Sequence, residues 1–330
     1  MNRTSDPNSA DAVTVVVAAY NGAKCIGACI ESVLASAHPV RVVVVDNASE
    51  DDTRAIVARF PDVVCLPQEK NRGFGGANNI GIRHALDDRA DFVFLLNQDA
   101  CLEKEAIGTL VRAAREHPAF GILSPVHRDA AGGALDALFE EFLRTWYPET
   151  DNVSELLREP RVLPVPFVNA AAWLVTRECV THVGGFDPLF FMRGEDNDYC
   201  NRARFHGFQV GVATDAAIRH DREVGTEANR PLARQSVKWR AGERKRQMIV
   251  ALKHPGSRFA RHLFWWAFGI LREAVASIAR MDYRGVFALA MASAAACWRL
   301  PRICSHRRTC IAGRMAWLQP LDAERPRSPT

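Results

Sequence analysis

The sequence predicts an α/β fold with a mostly parallel central sheet flanked by helices, and three observations carry that prediction. β-branched and apolar runs alternate with helix-patterned stretches over the first 125 residues. Such strand and helix alternation favours parallel strands with helices on both faces of the sheet. The strongest run, Phe92-Val93-Phe94-Leu95-Leu96, stops on Asn97-Gln98-Asp99. It reads as a buried strand delivering a carboxylate to a sheet edge, where open α/β sheets bind ligands. At 330 residues, with 48% hydrophobic and 24% charged residues, the chain has an ordinary globular composition and can bury a large core.

Residues 13–18 are the first strand, followed by a helical pattern over 23–36. The second strand, 40–45, closes on Asp46-Asn47-Ala48-Ser49, and a helix starts near Asp51 with Asp51, Asp52 or Thr53 as its cap. Residues 63–66 are a short strand and 75–86 a helix; 92–96 is the strand above, and 104–116 the helix after it. From residue 119 the pattern loosens, and 129–160, irregular and rich in charge and proline, reads as a loop over a site. A strand at 171–175 and a short helix at 177–183 follow. The acidic cluster Glu195-Asp196-Asn197-Asp198 then opens a helix to His206, stopped by Gly207 as a left-handed cap. Residues 209–213 form the last strand before Arg219-His220-Asp221.

The charge is split along the chain. Residues 1–237 carry 24 basic and 33 acidic side chains, a net of −9, whereas 238–330 carry 18 and 5, a net of +13. An acidic front half suits a metal-dependent site; a basic tail suits an anionic lipid or another polyanion, or is a plain solvated surface. Residues 263–279 read as a helix with a broad apolar face, and 286–298 as a second apolar run. The second is shorter than the roughly 17–25 residues that span a bilayer. Trp265, Trp266 and Trp298, with Arg299, Arg302, Arg307 and Arg308, suggest an interfacial anchor. Packing on the core or on a second subunit is the other reading. The polar residues 1–11 lack the apolar stretch of a secretion signal. Nine scattered cysteines with no Cys-x-x-Cys pair suggest reduced thiols in a cytoplasmic protein.

Four signatures carry the chemistry. Ala19-Tyr20-Asn21 follows the first strand, and Asp46-Asn47-Ala48-Ser49-Glu50-Asp51-Asp52-Thr53 the second. Asn71-Arg72-Gly73-Phe74-Gly75-Gly76-Ala77-Asn78-Asn79 follows the third; its glycines let backbone approach a phosphate, and helix N-terminal amides favour an anion. Asn97-Gln98-Asp99 offers oxygen ligands to a hard divalent cation shared with a pyrophosphate. Gly184-Gly185-Phe186-Asp187 leads to Glu195-Asp196, where crowded carboxylates repel and favour proton acceptance.

These four in order resemble the family 2 inverting glycosyltransferases of GT-A fold, and among them the bacterial rhamnosyltransferase-type enzymes. The resemblance spans residues 13–220. It implies a GT-A type nucleotide-diphospho-sugar transferase domain over 12–237, with a donor-binding half at about 12–125 and an acceptor half at about 126–237. A leader, 1–11, precedes it, and C-terminal amphipathic helices, basic in character, occupy 238–330. Carried across by the motifs, Ala19, Tyr20, Asp46, Arg72, Asn79, Asn97 and Asp99 bind the donor, with Asp46 reading the base. Asp196 is the catalytic base, and Glu195 orients it or contacts the acceptor. Asp99 is a metal ligand; Asn97, where the family commonly has Asp, is a neutral ligand or a sugar contact. His220 stands where many relatives place a third ligand, or is an ordinary packed histidine. For Asn78 and Asn79 the other reading is loop-to-helix hydrogen bonding.

The resemblance thus implies a metal-dependent (Mg²⁺ or Mn²⁺) inverting transfer from a UDP- or dTDP-linked sugar, with rhamnose the sugar it favours, to a saccharide or lipid-linked saccharide. The setting would be cell-surface polysaccharide synthesis, in the cytoplasm or peripherally on the inner face of the plasma membrane. No nucleic-acid partner is expected. A degenerate scaffold subunit and a sugar-1-phosphate nucleotidyltransferase are the rival readings.

Overall fold

The computed structural model describes residues 11–150, 152–221 and 235–318. Of the expected leader, 1–11, residues 1–10 lie outside the described residues, and Asp11 pairs with Arg115. Strands β1 (Val13–Ala19), β2 (Val40–Asp46), β3 (Val63–Pro67) and β4 (Phe92–Asn97) alternate with helices α1 (Ile26–Leu34), α2 (Thr53–Val57) and α3 (Gly73–Asp87). They pair in the order β3-β2-β1-β4, all parallel. Each strand sends alternate residues to opposite faces. Val15, Val17, Phe94 and Leu96 join one apolar layer, and Val16, Val93 and Leu95 the other. Both faces are covered, which is why these strands read as unbroken apolar runs.

Beyond β4 the sheet turns mixed. β5 (Ala100–Leu102) and α4 (Ala106–Glu116) lead to β6 (Phe120–Arg128), then α5 (Ala137–Trp146), α6 (Val153–Leu156), β7 (Val162–Pro164), β8 (Ala172–Thr176), α7 (Arg177–Val183), α8 (Glu195–Phe205) and β9 (Gln209–His220). The order continues β4-β8-β6-β9-β5, with β8 antiparallel to both β4 and β6, and with β7 on β9.

Three expectations change here. β6 was absent from the sequence reading because Pro125 interrupts it; the strand tolerates proline where its register against β9 shifts, between Pro125 and Val126. β9 runs on through the same irregularity to His220 instead of stopping at Ala213. The segment read as an irregular loop, 129–160, holds two helices. Asp136 caps α5 by accepting from Phe139 N at 2.9 Å, and Phe139 and Leu143 enter the core.

Four helices follow: α9 (Val237–Lys253), α10 (Phe259–Ala279), α11 (Tyr283–Trp298) and α12 (Leu300–Ala312). α9 buries Met248 against Leu289, Ala292 and Ala296 of α11, and Ile249 and Leu252 against Phe190 and Ile303. After α12 the chain returns to the core: Arg314 N donates to His182 O at 2.8 Å and Gly185 N to Ala316 O at 2.8 Å. Leu271, Val275 and Ile278 of α10 and Tyr283, Phe287 and Trp298 of α11 are exposed, Trp298 at 86%. The side chains of Trp265 and Trp266 lie outside the described residues. Among the described residues no single helix is long and apolar enough to cross a membrane; α11 and α12 meet that test only as a pair, bent by 63°.

Candidate active site

The parallel register sets Ala19 opposite Asp46 and Ala18 opposite Asn97. Three of the predicted donor residues, Ala19, Asp46 and Asn97, thus reach one edge of the sheet. Asp46 is fully buried there; its Oδ2 accepts from Arg54 Nε and its Oδ1 from Ser49 N at 3.3 Å. Tyr20 is 41% exposed beside it. Gln98, which the sequence reading passed over, fixes that tyrosine from both sides: Oε1 accepts from Tyr20 N at 2.8 Å, and Nε2 donates to Tyr20 O at 3.1 Å. Of the three candidate caps, Asp52 occupies the N-cap position of α2 without a side-chain bond. Asp51 does the capping, accepting from Thr53 N at 3.0 Å and also from Ala23 N at 3.0 Å.

The glycine-rich loop has a different use from the one its composition suggests. Its amides are already bonded within the protein: Arg72 N to Asn47 Oδ1 at 2.8 Å, Gly73 N to Asn71 Oδ1 at 2.8 Å, and Phe74 N to Phe191 O at 3.1 Å. The start of α3 therefore does not present those amides to a phosphate. Its glycines serve contact with the segment that precedes α8. Gly73 has φ +74°, and a Cβ there would lie 2.0 Å from Phe191 O; one on Gly75 would lie 2.7 Å from Phe186 Cβ. Asn79 Nδ2 donates to Phe186 O at 2.8 Å, and its Oδ1 accepts from Phe186 N at 2.7 Å. Loop-to-helix hydrogen bonding, the alternative for Asn79, describes that contact. Asn78 bonds within its own helix, donating to Phe74 O at 3.0 Å.

β5 pairs with β9 so that Ala100 faces His220, which brings His220 Nε2 to 3.3 Å from Asp99 Oδ1. His220 is buried, and apart from that contact with Asp99 neither ring nitrogen has a hydrogen-bond partner among the described residues. Burying an imidazole that way is unfavourable, and a cation taken by one ring nitrogen and the partly exposed Asp99 carboxylate would relieve it. These residues fit a divalent metal. A second cluster does not. Ligand atoms of Asp187, Asp198 and Cys310 lie within 4.8 Å of one another. Lys253 Nζ already sits on both carboxylates, 2.6 Å from Asp198 Oδ1 and in contact with Asp187 Oδ2. Its ammonium supplies the positive charge that a metal would bring.

α8 begins at Gly194, whose φ of +90° turns the chain into the helix. Glu195 is buried with Oε2 unpartnered, and burial together with the adjacent Asp196 charge pushes its carboxyl up to about 7. Asp196, half-buried, is also raised by burial, opposed by the amides of Asn197 and Ala170. Asn97 N donates to Ala171 O at 2.8 Å. The Asn97 turn and the Asp196 carboxylate thus border adjacent residues, 170 and 171. The chain holds a histidine–carboxylate pair, His220 and Asp99, at a strand end, and a pair of carboxylates with raised affinity for protons at the start of α8.

A sequence profile of glycosyltransferase like family 2 matches residues 9–242. The N-acetylglucosaminyl-diphospho-decaprenol L-rhamnosyltransferase of Mycobacterium tuberculosis is 30% identical over 243 residues, covering 66% of this chain and 78% of that one. Among solved structures, TarS of S. aureus in complex with UDP is similar with a TM-score of 0.52 at 18% identity, over 76% of this chain and 68% of its own. The mannosyltransferase PcManGT of Pyrobaculum calidifontis, in complex with GDP-Man and Mn²⁺, aligns over 89% of both chains with a TM-score of 0.53 at 20% identity. The fold is that of these GT-A enzymes, and the chain belongs to glycosyltransferase family 2, enzymes of sugar transfer in glycan synthesis.

Proposed function

We propose that this enzyme moves a sugar, rhamnose in the first instance, from a pyrimidine nucleoside diphosphate to a saccharide carried on a lipid, with inversion at the anomeric carbon. The observation that carries the reading is the contact of buried His220 with Asp99 at the strand end, together with the adjacent carboxylates of buried Glu195 and half-buried Asp196 that open α8. The reading seats a donor diphosphate at Asp99 and an acceptor hydroxyl at Asp196.

Asp196 takes the proton from the acceptor hydroxyl as that oxygen bonds to the anomeric carbon, and the bond to the diphosphate oxygen breaks with its electron pair. Glu195, holding a proton up to about pH 7, keeps a second negative charge away from Asp196 during the attack. Asp99 and His220 would hold the divalent cation, Mg²⁺ or Mn²⁺, whose chemistry is neutralisation of charge on the leaving diphosphate. Arg72 lies on the loop before α3 and adds positive charge on the same side. Gln98 holds Tyr20 against the base, and a base reading Asp46 shares that carboxylate with Arg54.

The apolar, exposed positions of α10 and α11 with Arg272 and Arg280 beside them support seating on an anionic membrane surface, where a lipid-linked acceptor is found.

The test is turnover across a panel of nucleotide sugars with and without Mn²⁺ or Mg²⁺, for wild type, Asp99→Ala and Asp196→Asn. The reading expects metal-dependent use of a pyrimidine-linked sugar. Asp196→Asn should bind that donor and lose about 10²–10⁴-fold in transfer. Full transfer by Asp196→Asn would remove it as the base. Sedimentation with anionic vesicles tests the surface: Leu271→Ser/Phe287→Ser should stay in solution while melting as wild type does.

A further inference from the structure

Four charged side chains from three parts of the chain are sealed in one place. Asp187, Asp198, Arg202 and Lys253 are all essentially inaccessible to solvent. Arg202 donates to Asp198 Oδ2 at 2.9 Å, to Val183 O at 2.9 Å and to Gly185 O at 2.8 Å. Lys253, the last residue of α9, contacts both Asp187 and Asp198, and His306 of α12 lies 2.7 Å from Asp187 Oδ1 through Nδ1. Trp317 covers the group, 5.1 Å from Lys253 Nζ and 4.9 Å from the Arg202 guanidinium, and stacks on His306. Two carboxylates thus face two basic side chains. Asp187 is held below its usual range by His306 and Lys253 although burial pushes the other way.

The two acids bound by Lys253 bracket the working segment. Asp187 organises its start, accepting from Leu189 N at 2.8 Å. Asp198 closes it, its amide donating to Gly194 O at 3.0 Å in the first turn of α8. Between them lie Phe191, whose carbonyl meets the glycine-rich loop, and Glu195 and Asp196. One ammonium thus ties both ends of the segment that presents the carboxylates. It comes from a helix whose other face, at Met248, packs under α11.

We propose that Lys253, assisted by His306, is a positioning residue for Asp196, so that the C-terminal helices are a working part of the acceptor site and not only an attachment. The kinetic part of this inference rests on Asp196 as the base. The structural part does not.

The test uses the full chain with the charge-balanced double variant Asp187→Asn/Lys253→Met, and with His306→Gln as a milder perturbation from α12. Thermal melting, amide hydrogen exchange at residues 195–198, and kcat and KM for the nucleotide sugar selected by the donor panel are measured together. Positioning predicts that the double variant melts as a folded protein, exchanges at 195–198 at least tenfold faster, and loses at least tenfold in kcat with donor KM within twofold. His306→Gln should move the same way by about two- to threefold. Should the double variant fail to fold, His306→Gln decides by the same readouts. Folded variants with unchanged exchange and unchanged kcat, or with kcat and donor KM altered alike, overturn the proposal. Should Asp196→Asn retain transfer, the base assignment fails while the exchange data still decide the coupling.

Discussion

The two halves of the sheet hold their acids in opposite ways. In the parallel half, Asp46 is paired with Arg54, eight residues on, and Asp51 with the backbone of Thr53, two residues away, and of Ala23, 28 residues away. In the mixed half, Asp198 shares Arg202, four residues on, with Lys253, 55 residues away, and Asp187 is held by Lys253 and by His306, 119 residues away. The parallel half is assembled mostly by chain succession, each strand end followed by its own loop and helix. The mixed half is completed by distant helices closing over buried charge. The halves should therefore fail differently, the first piecemeal and the second as a unit.

The largest effect on stability is expected at Lys253. Lys253→Met leaves two buried carboxylates short of a cation and should lower unfolding free energy by about 3–5 kcal/mol, read as a fall in the urea midpoint. A loss no greater than that at an exposed pair would erase the contrast between the halves.

Glu195 sharpens it through pH. Its folded-state affinity for a proton, near pH 7 against an ordinary 4.5, means that the native state binds that proton more tightly than the unfolded chain. Its stabilising contribution is therefore complete below 4.5 and is lost as pH rises through 7, on the order of 3 kcal/mol in all. Urea titrations at pH 4.5 and 8 should show that decline in wild type, and Glu195→Gln should flatten it.

Gly73 joins the halves. Gly73→Ala must hold φ near +74° and push Phe191 O away, costing roughly 1–3 kcal/mol. Differential scanning calorimetry should register the loss. The smallest effect is expected at Arg41 and Asp88 in the parallel half, a pair whose side chains are 57% and 48% exposed. Asp88→Ala should change stability by less than about 1 kcal/mol, and less still in high salt.

That division also explains what was readable in advance. Periodicity and strand-end polarity expose β1 to β4, Asp99 and the Glu195-Asp196 pair, since each is a local event in the chain. His220 was visible as a histidine after a strand, but its partner on β5 was not, because three residues are too few to announce a strand. Asn79 and the glycines were read for a ligand and turn out to face Phe186 and Phe191, contacts 107 residues apart in the first case. Gln98 hid between two more obvious polar residues. Lys253 carries no local signal at all; only the closing of α9 over α8 gives it meaning.

The irregularity in β9 acts as a register key for the site. Pro125 pairs with Ala213 and Val126 with Ala217, so residues 214–216 are taken up as slack. Thr214 pins that slack, its Oγ1 donating to Glu159 O at 2.6 Å and accepting from Arg161 N at 2.9 Å. Because side chains alternate faces along a strand, one residue more or fewer beyond this point would turn His220 away from Asp99 and bring Arg219 or Asp221 into its place. Chain-length variation in β9 is thereby filtered by the Asp99–His220 contact itself: insertions that the bulge absorbs keep the pair, and those downstream of it disassemble the pair without touching either residue.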